Sequence, residues 1–182
     1  MKLRTMTTAA LFAALMAILS QIAVPLPFTP VPVTLQSLAV FLTGVILGSK
    51  RGAMAIVVYT LMGLVGLPVF AQGEAGLGVL LGPKGGYIFG FILAAFIIGR
   101  IVEKTKELSY LKTLGSMVVG LIIFYATGWV QIKFVLDLSF KEAFFIGVAP
   151  FLPFDLIKIV CGAYIGSAVR KAVVKVYPNW VY

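Results

Sequence analysis

The sequence contains no histidine, a single cysteine and only six acidic residues among 182. Each shortage removes a class of chemistry. Without histidine there is no imidazole proton relay, no Ser-His or Cys-His nucleophile, and little with which to build a zinc site. Cys161 cannot form an intrachain disulfide, and its apolar neighbours point to a packing role. Charged residues make up 12% of the chain, against roughly 25% in a soluble domain. Energy-supplying motifs are missing too. "GVILGSK" (Gly44 to Lys50) lacks the order of a phosphate-binding P-loop, and Gly76, Gly78 and Gly82 are spaced one residue too widely for G-x-G-x-x-G. Asp155 is the one acid inside an apolar span, too few for a proton or sodium relay.

What is abundant is apolar: 61% hydrophobic residues and a mean hydropathy of +1.09. This describes an all-α integral membrane protein, because backbone polar groups inside lipid must be satisfied within helices or closed barrels. The pattern predicts one domain over residues 1–182, a bundle of six transmembrane helices at about 5–24, 33–48, 52–67, 86–102, 111–131 and 151–173. A signal peptide is not expected at the N-terminus, since the first apolar stretch is too long and has no A-x-A cleavage pattern before Pro25.

The net charge of +9 reads as membrane orientation rather than as a nucleic-acid surface. Lys2, Arg4, Lys50, Arg51, Arg100, Lys104, Lys106, Lys112, Arg170, Lys171 and Lys175 all flank spans on one side. Lys84, Lys133 and Lys141 fall on the other. By the positive-inside rule both termini are cytoplasmic, in a multi-pass protein of the cell membrane. The outer connections are rich in proline, glycine and apolar residues, as in "VPLPFTPVPV" (Val24 to Val33) and "LPVFAQGEAGLGVLLGPKGGY" (Leu67 to Tyr87). Proline breaks helices and glycine permits close backbone approach, so these segments are expected to fold over the outer mouth as a lid.

Under that lid, "FLPFDLIKIV" (Phe151 to Val160) sets Asp155 and Lys158 three residues apart on one helix face. Ionisable groups in lipid cost about 2.5 to 3.5 kcal/mol each and face a cavity, a ligand or each other. The pair is therefore either a self-neutralising structural contact or part of a binding site. Thr34, Gln36, Gln72, Glu74, Lys84 and Tyr87 lie on the same side and can supply the few directional groups of an otherwise apolar pocket. In the first span Ala9, Ala13 and Ala17, with Ala10 and Ala14 beside them, form a small-residue face that another helix can approach closely.

Three stretches carry a resemblance: "FTPVPVTLQSLAVFLTG" (Phe28 to Gly44), "GLPVFAQGEAGLGVLLGPKGGYIFGF" (Gly66 to Phe91) and "FLPFDLIKIVCGAYIG" (Phe151 to Gly166). Over nearly its whole length the chain resembles the BioY family, the biotin-specific substrate-binding (S) components of energy-coupling factor (ECF) transporters. The resemblance implies a non-enzymatic prokaryotic membrane subunit that captures biotin and has no cofactor of its own. ATP would be used only by partners, namely two cytoplasmic ATPases joined through a transmembrane coupling protein. It further implies that the alanine face of the first span contacts that coupling protein. An S component for another vitamin, such as thiamin or riboflavin, and a membrane-embedded enzyme are the alternatives. The sequence departs from the family pattern at "FAQGEAG" and at Lys84.

Overall fold

A computed structural model describes residues 3–105 and 108–176. Lys2 and Lys106 lie outside the described residues. Eight α-helices are described: α1 (Leu3–Gln21), α2 (Gln36–Leu47), α3 (Ser49–Leu64), α4 (Leu77–Leu81), α5 (Gly85–Glu103), α6 (Tyr110–Val135), α7 (Phe140–Gly147) and α8 (Leu152–Val176). A two-residue antiparallel ribbon joins β1 (Ala23–Val24) to β2 (Val33–Thr34), with Ala23 opposite Thr34 and Val24 opposite Val33.

Four helices, α1, α5, α6 and α8, are long and apolar enough to cross a membrane. The expected second span is a shorter helix than the sequence suggested, and the third keeps its expected length of 16 residues but begins three residues earlier, at Ser49. α2 begins at Gln36 because Val33 and Thr34 are held extended by the ribbon, and α1 stops at Gln21 for the same reason. With 12 residues, α2 is about 18 Å long, well under the roughly 30 Å of a hydrocarbon core. Lys50 and Arg51 do not separate two spans as expected, since they lie in the first turn of α3. Only Gly48 stands between α2 and α3, at φ +80°, a left-handed conformation open to glycine. The glycine-rich outer connections are not all coil. They contain α4 and α7, the latter started by a capping box in which Ser139 accepts from the Glu142 amide and Glu142 accepts from the Ser139 amide. The Ser139 hydroxyl, which donates to Glu142 Oε2 at 2.6 Å, and after it the Ser139 amide hold the Glu142 carboxyl below the usual glutamate range.

The larger of two buried apolar clusters contains Phe41, Tyr59, Phe70, Phe91, Phe124 and Ile98. α5 and α6 meet along glycines. A side chain at Gly86 would strike the Thr127 carbonyl, one at Gly90 the Phe124 backbone, and one at Gly120 the Ile98 side chain. The "GGYIFG" motif thus serves close packing of two long helices.

α1 presents an inner stripe of Ala9, Ala13, Met16 and Ser20 to the chain's own core, Ala9 packing in a cluster with Ile46, Leu47 and Ala55. Ala17 is half-buried, while Ala10 and Ala14 are exposed. The small-residue face centred on Ala9 and Ala13 is therefore used within this fold, and the outward small residues of α1 are their neighbours. Cys161, expected inside, is exposed on α8.

Two ends of the bundle are tied by polar contacts. At one, Glu103 of α5 accepts from the Ser49 amide and hydroxyl at the start of α3 (2.8 and 2.7 Å), and Arg170 of α8 donates to the Val45 carbonyl at the end of α2 (2.6 Å). Arg170 is 4% exposed, and its guanidinium supplies the donors that the last turn of α2 lacks. The opposite end carries the ribbon, α4, α7 and the start of α8.

Candidate functional site

At that opposite end a chamber of about 600 Å³, its open mouth included, lies between the starts of α2, α5 and α8 and the C-terminal half of α6. Every apolar connection contributes wall. Val31, Pro32 and Val33 come from the proline-rich segment, Phe70, Ala71 and Val79 from the loop before α5, and Phe151 from the turn before α8. Phe91 and Phe124, packed edge to face at 5.2 Å, form the floor with Ile88. The polar groups that line the chamber are Thr34, Gln36, Ser37, Lys84, Tyr87, Tyr125, Asp155 and Lys158.

Asp155 lies in the first turn of α8, where the unpaired amides of a helix start favour a carboxylate. Pro153 fits there because a first-turn residue needs no amide hydrogen. Asp155 is 4% exposed, and each of its carboxylate oxygens accepts from at least one donor. Lys158 Nζ and Ser37 Oγ donate to Oδ1, and Tyr125 Oη donates to Oδ2, each at 2.6 Å. The Lys158 ammonium also donates to the Thr34 carbonyl (2.6 Å) and to Ser37 Oγ (3.1 Å). All three of its hydrogens thus have acceptors, whereas a carboxylate with about four lone-pair sites keeps one in reserve after three bonds. The pair expected from spacing is formed, and it is embedded in a network that links α2, α6 and α8.

Lys84 stands at the chamber wall just before α5 and donates to Glu74 Oε2 at 2.8 Å and Gln72 Oε1 at 3.1 Å. Gln72 and Glu74 do not themselves line the chamber; they reach it through Lys84. Gln72 has φ +66° in a turn closed by the Phe70 amide bonding the Glu74 carbonyl. That turn is anchored by Phe70, whose ring packs on Gly63 and edge to face on Tyr59. Tyr87 is buried and donates to the Gly147 carbonyl, its ring lying where a side chain at Gly128 would have to sit. Gln36 donates to Tyr59 Oη, and the Gln36 amide is capped by Thr34 Oγ1 at 3.2 Å. Tyr87 and Gln36 thus face the chamber with their polar tips already committed to protein partners.

Ser37 and Tyr125 escaped the sequence reading. Tyr125 had one available signal, a phenol within an apolar span that must find a partner when buried. Ser37 had none, since serine is ordinary near a helix start. Among the described residues no group of three His, Cys, Asp or Glu side chains could hold a metal.

Comparison with known proteins bears on this geometry. The model of the BioY family matches residues 1–175. A biotin transporter BioY of Thermotoga maritima is 43% identical over 169 residues, covering 93% of this chain and 97% of that protein. Another, of Rhizobium etli, is 36% identical, with 93% and 94% covered. A crystal structure of the S-component for biotin from an ECF-type ABC transporter superposes with a TM-score of 0.87 at 28% identity, over 93% of this chain and 92% of that one.

Proposed function

The chain belongs to the BioY family, and from that premise we propose how it works: as the biotin-binding S component of an ECF-type transporter, capturing biotin in the chamber under the outer loops. It is a transport protein and not an enzyme, as its family is. The observation that carries the chemical reading is the polar asymmetry of one apolar chamber, with the Asp155–Lys158 network at one part of its wall and the Lys84 ammonium at another.

Biotin's ureido ring presents two N–H donors and one carbonyl acceptor. The remaining lone pair of Asp155 accepts from a ureido N–H, a charge-assisted bond. Lys158 reaches the ureido carbonyl by exchanging one of its present acceptors, Thr34 or Ser37. Thr34, Gln36 and Tyr87 shape that end of the chamber. Aromatic and aliphatic walls take the fused ring and chain, and the valerate carboxylate goes to Lys84, with Gln72 holding that lysine in place. Six membrane-crossing segments, counting the short α2 and α3, put both termini in the cytoplasm of a prokaryotic cell. The exposed apolar faces, among them Leu11, Ile18, Ile122 and Ile157, meet lipid. A transmembrane coupling protein and two ATPases supply the work, and α1 meets the coupling protein through its outward residues around Ala10, Ala14 and half-buried Ala17, the inward Ala9 and Ala13 supporting that helix from behind.

Mass spectrometry of the small molecule that co-purifies with the protein in detergent tests this reading. Biotin is expected, displaceable by added biotin but not by thiamin or riboflavin. Recovery of either of those vitamins, with no biotin binding, overturns it.

A further inference from the structure

Lys84 lies between two spaces. It lines the chamber, and with Val79 it also lines a groove on the outer side formed by Glu74, Ala75, Gly78, Gly82 and Pro83. Its ammonium uses two of three hydrogens on Glu74 and Gln72. The Lys84 side chain is 17% exposed and the Glu74 side chain 39%, so the lysine sits in the wall and its counter-ion on the rim. The turn that carries Glu74 is built rather than loose: Phe70 anchors it, the Gly76 amide bonds the Gly63 carbonyl at 2.7 Å, and the Phe70 amide bonds the Glu74 carbonyl at 3.0 Å. Glu74 therefore holds a defined place over the ammonium.

We propose that Glu74 is a specificity-determining residue, an internal anion that competes with a ligand's carboxylate for Lys84 and so sets how strongly the protein prefers acid-tailed ligands to neutral-tailed ones. The inference rests on the biotin reading above. A ligand's carboxylate can take the third hydrogen, but one positive charge then faces two carboxylates, and bringing those like charges together opposes the binding of an acid. A ligand with an uncharged tail makes no such demand and leaves the Lys84–Glu74 contact as it stands. Glu74 thus subtracts from the binding of acids alone. Its rim position limits the size of the effect, since partly exposed ion pairs are weak.

The measurement is the ratio of affinities for biotin and biotin methyl ester, which share the ring system and differ in tail charge, determined by calorimetry on the detergent-solubilised protein. Glu74→Gln keeps the acceptor oxygen and removes the charge. The ratio is expected to rise about two- to fivefold over wild type, with Glu74→Ala moving it in the same direction. Lys84→Met is expected to bring the ratio down toward one. An unchanged or lowered ratio in both Glu74 variants, each folded by thermal melting, overturns the role of Glu74 while leaving the biotin site standing. A Lys84→Met protein with the wild-type ratio removes the carboxylate subsite and this inference with it. Wild-type protein that binds neither compound overturns the functional reading itself.

Discussion

At Asp155 a single carboxylate gathers an ammonium and two hydroxyls from three helices. Such a group can be a structural knot or a ligand reader, and the two roles separate on mutation. Asp155→Asn keeps the shape but loses the charge and turns a donor toward Lys158, Ser37 or Tyr125. Given about 1.5 to 3 kcal/mol for a charge-assisted hydrogen bond, biotin affinity of the folded fraction should fall roughly 10- to 150-fold. Lys158→Met strands the carboxylate and should destabilise by about 3 to 5 kcal/mol, and Asp155→Leu with Lys158→Met should restore much of that. If the folded double variant binds biotin as wild type does, in a calorimetric titration, the pair is structural only. The pair itself was legible because i, i+3 spacing is local. Its partners were not, since Ser37 and Tyr125 stand 118 and 30 residues from Asp155.

Among the elements, α1 shows how a helix in lipid hides its orientation from its sequence. Alanine is acceptable on either face, and both faces are apolar, so hydropathy cannot say which row is inward. The structure places Ala13 at 0% exposure and leaves Ala14 open. Ala13→Leu should overpack the core by about 1 to 3 kcal/mol and lower the melting temperature. Ala14→Leu should leave the melt alone but reduce co-purification with the proposed coupling protein, because close helix approach needs small residues. Equal co-purification of wild type and Ala14→Leu would remove α1's outward row from the docking surface. α2 and α8 show the complementary case. They are tied at both ends, by Asp155 and Lys158 to Ser37 and Thr34 and by Arg170 to Val45, which makes the two helices one body across the bundle.

In the whole molecule, Arg170, Glu103 and the α2–α3 junction gather at one end and the chamber lies at the other. If the basic end is cytoplasmic, single cysteines in place of Lys104 or Lys171, on a Cys161→Ser background, are shielded from a membrane-impermeant thiol reagent in intact cells. One in place of Lys141 is labelled. Labelling with the reverse pattern would turn the molecule over and put the chamber on the inside.

Composition and charge alone determined the class of protein, because lipid accepts a polypeptide only when its backbone is internally bonded, and long apolar runs with basic flanks satisfy that condition. They also located the approximate helices and the Asp155–Lys158 face. Tertiary structure decided the rest. It shortened α2 by pairing Val33 and Thr34 with β1, turned Ala9 and Ala13 inward, brought Ser37 and Tyr125 onto Asp155, and stood Glu74 against Lys84. Each of these depends on which distant segment arrives at a given place, and in a chain that is apolar almost everywhere the local pattern carries little record of that.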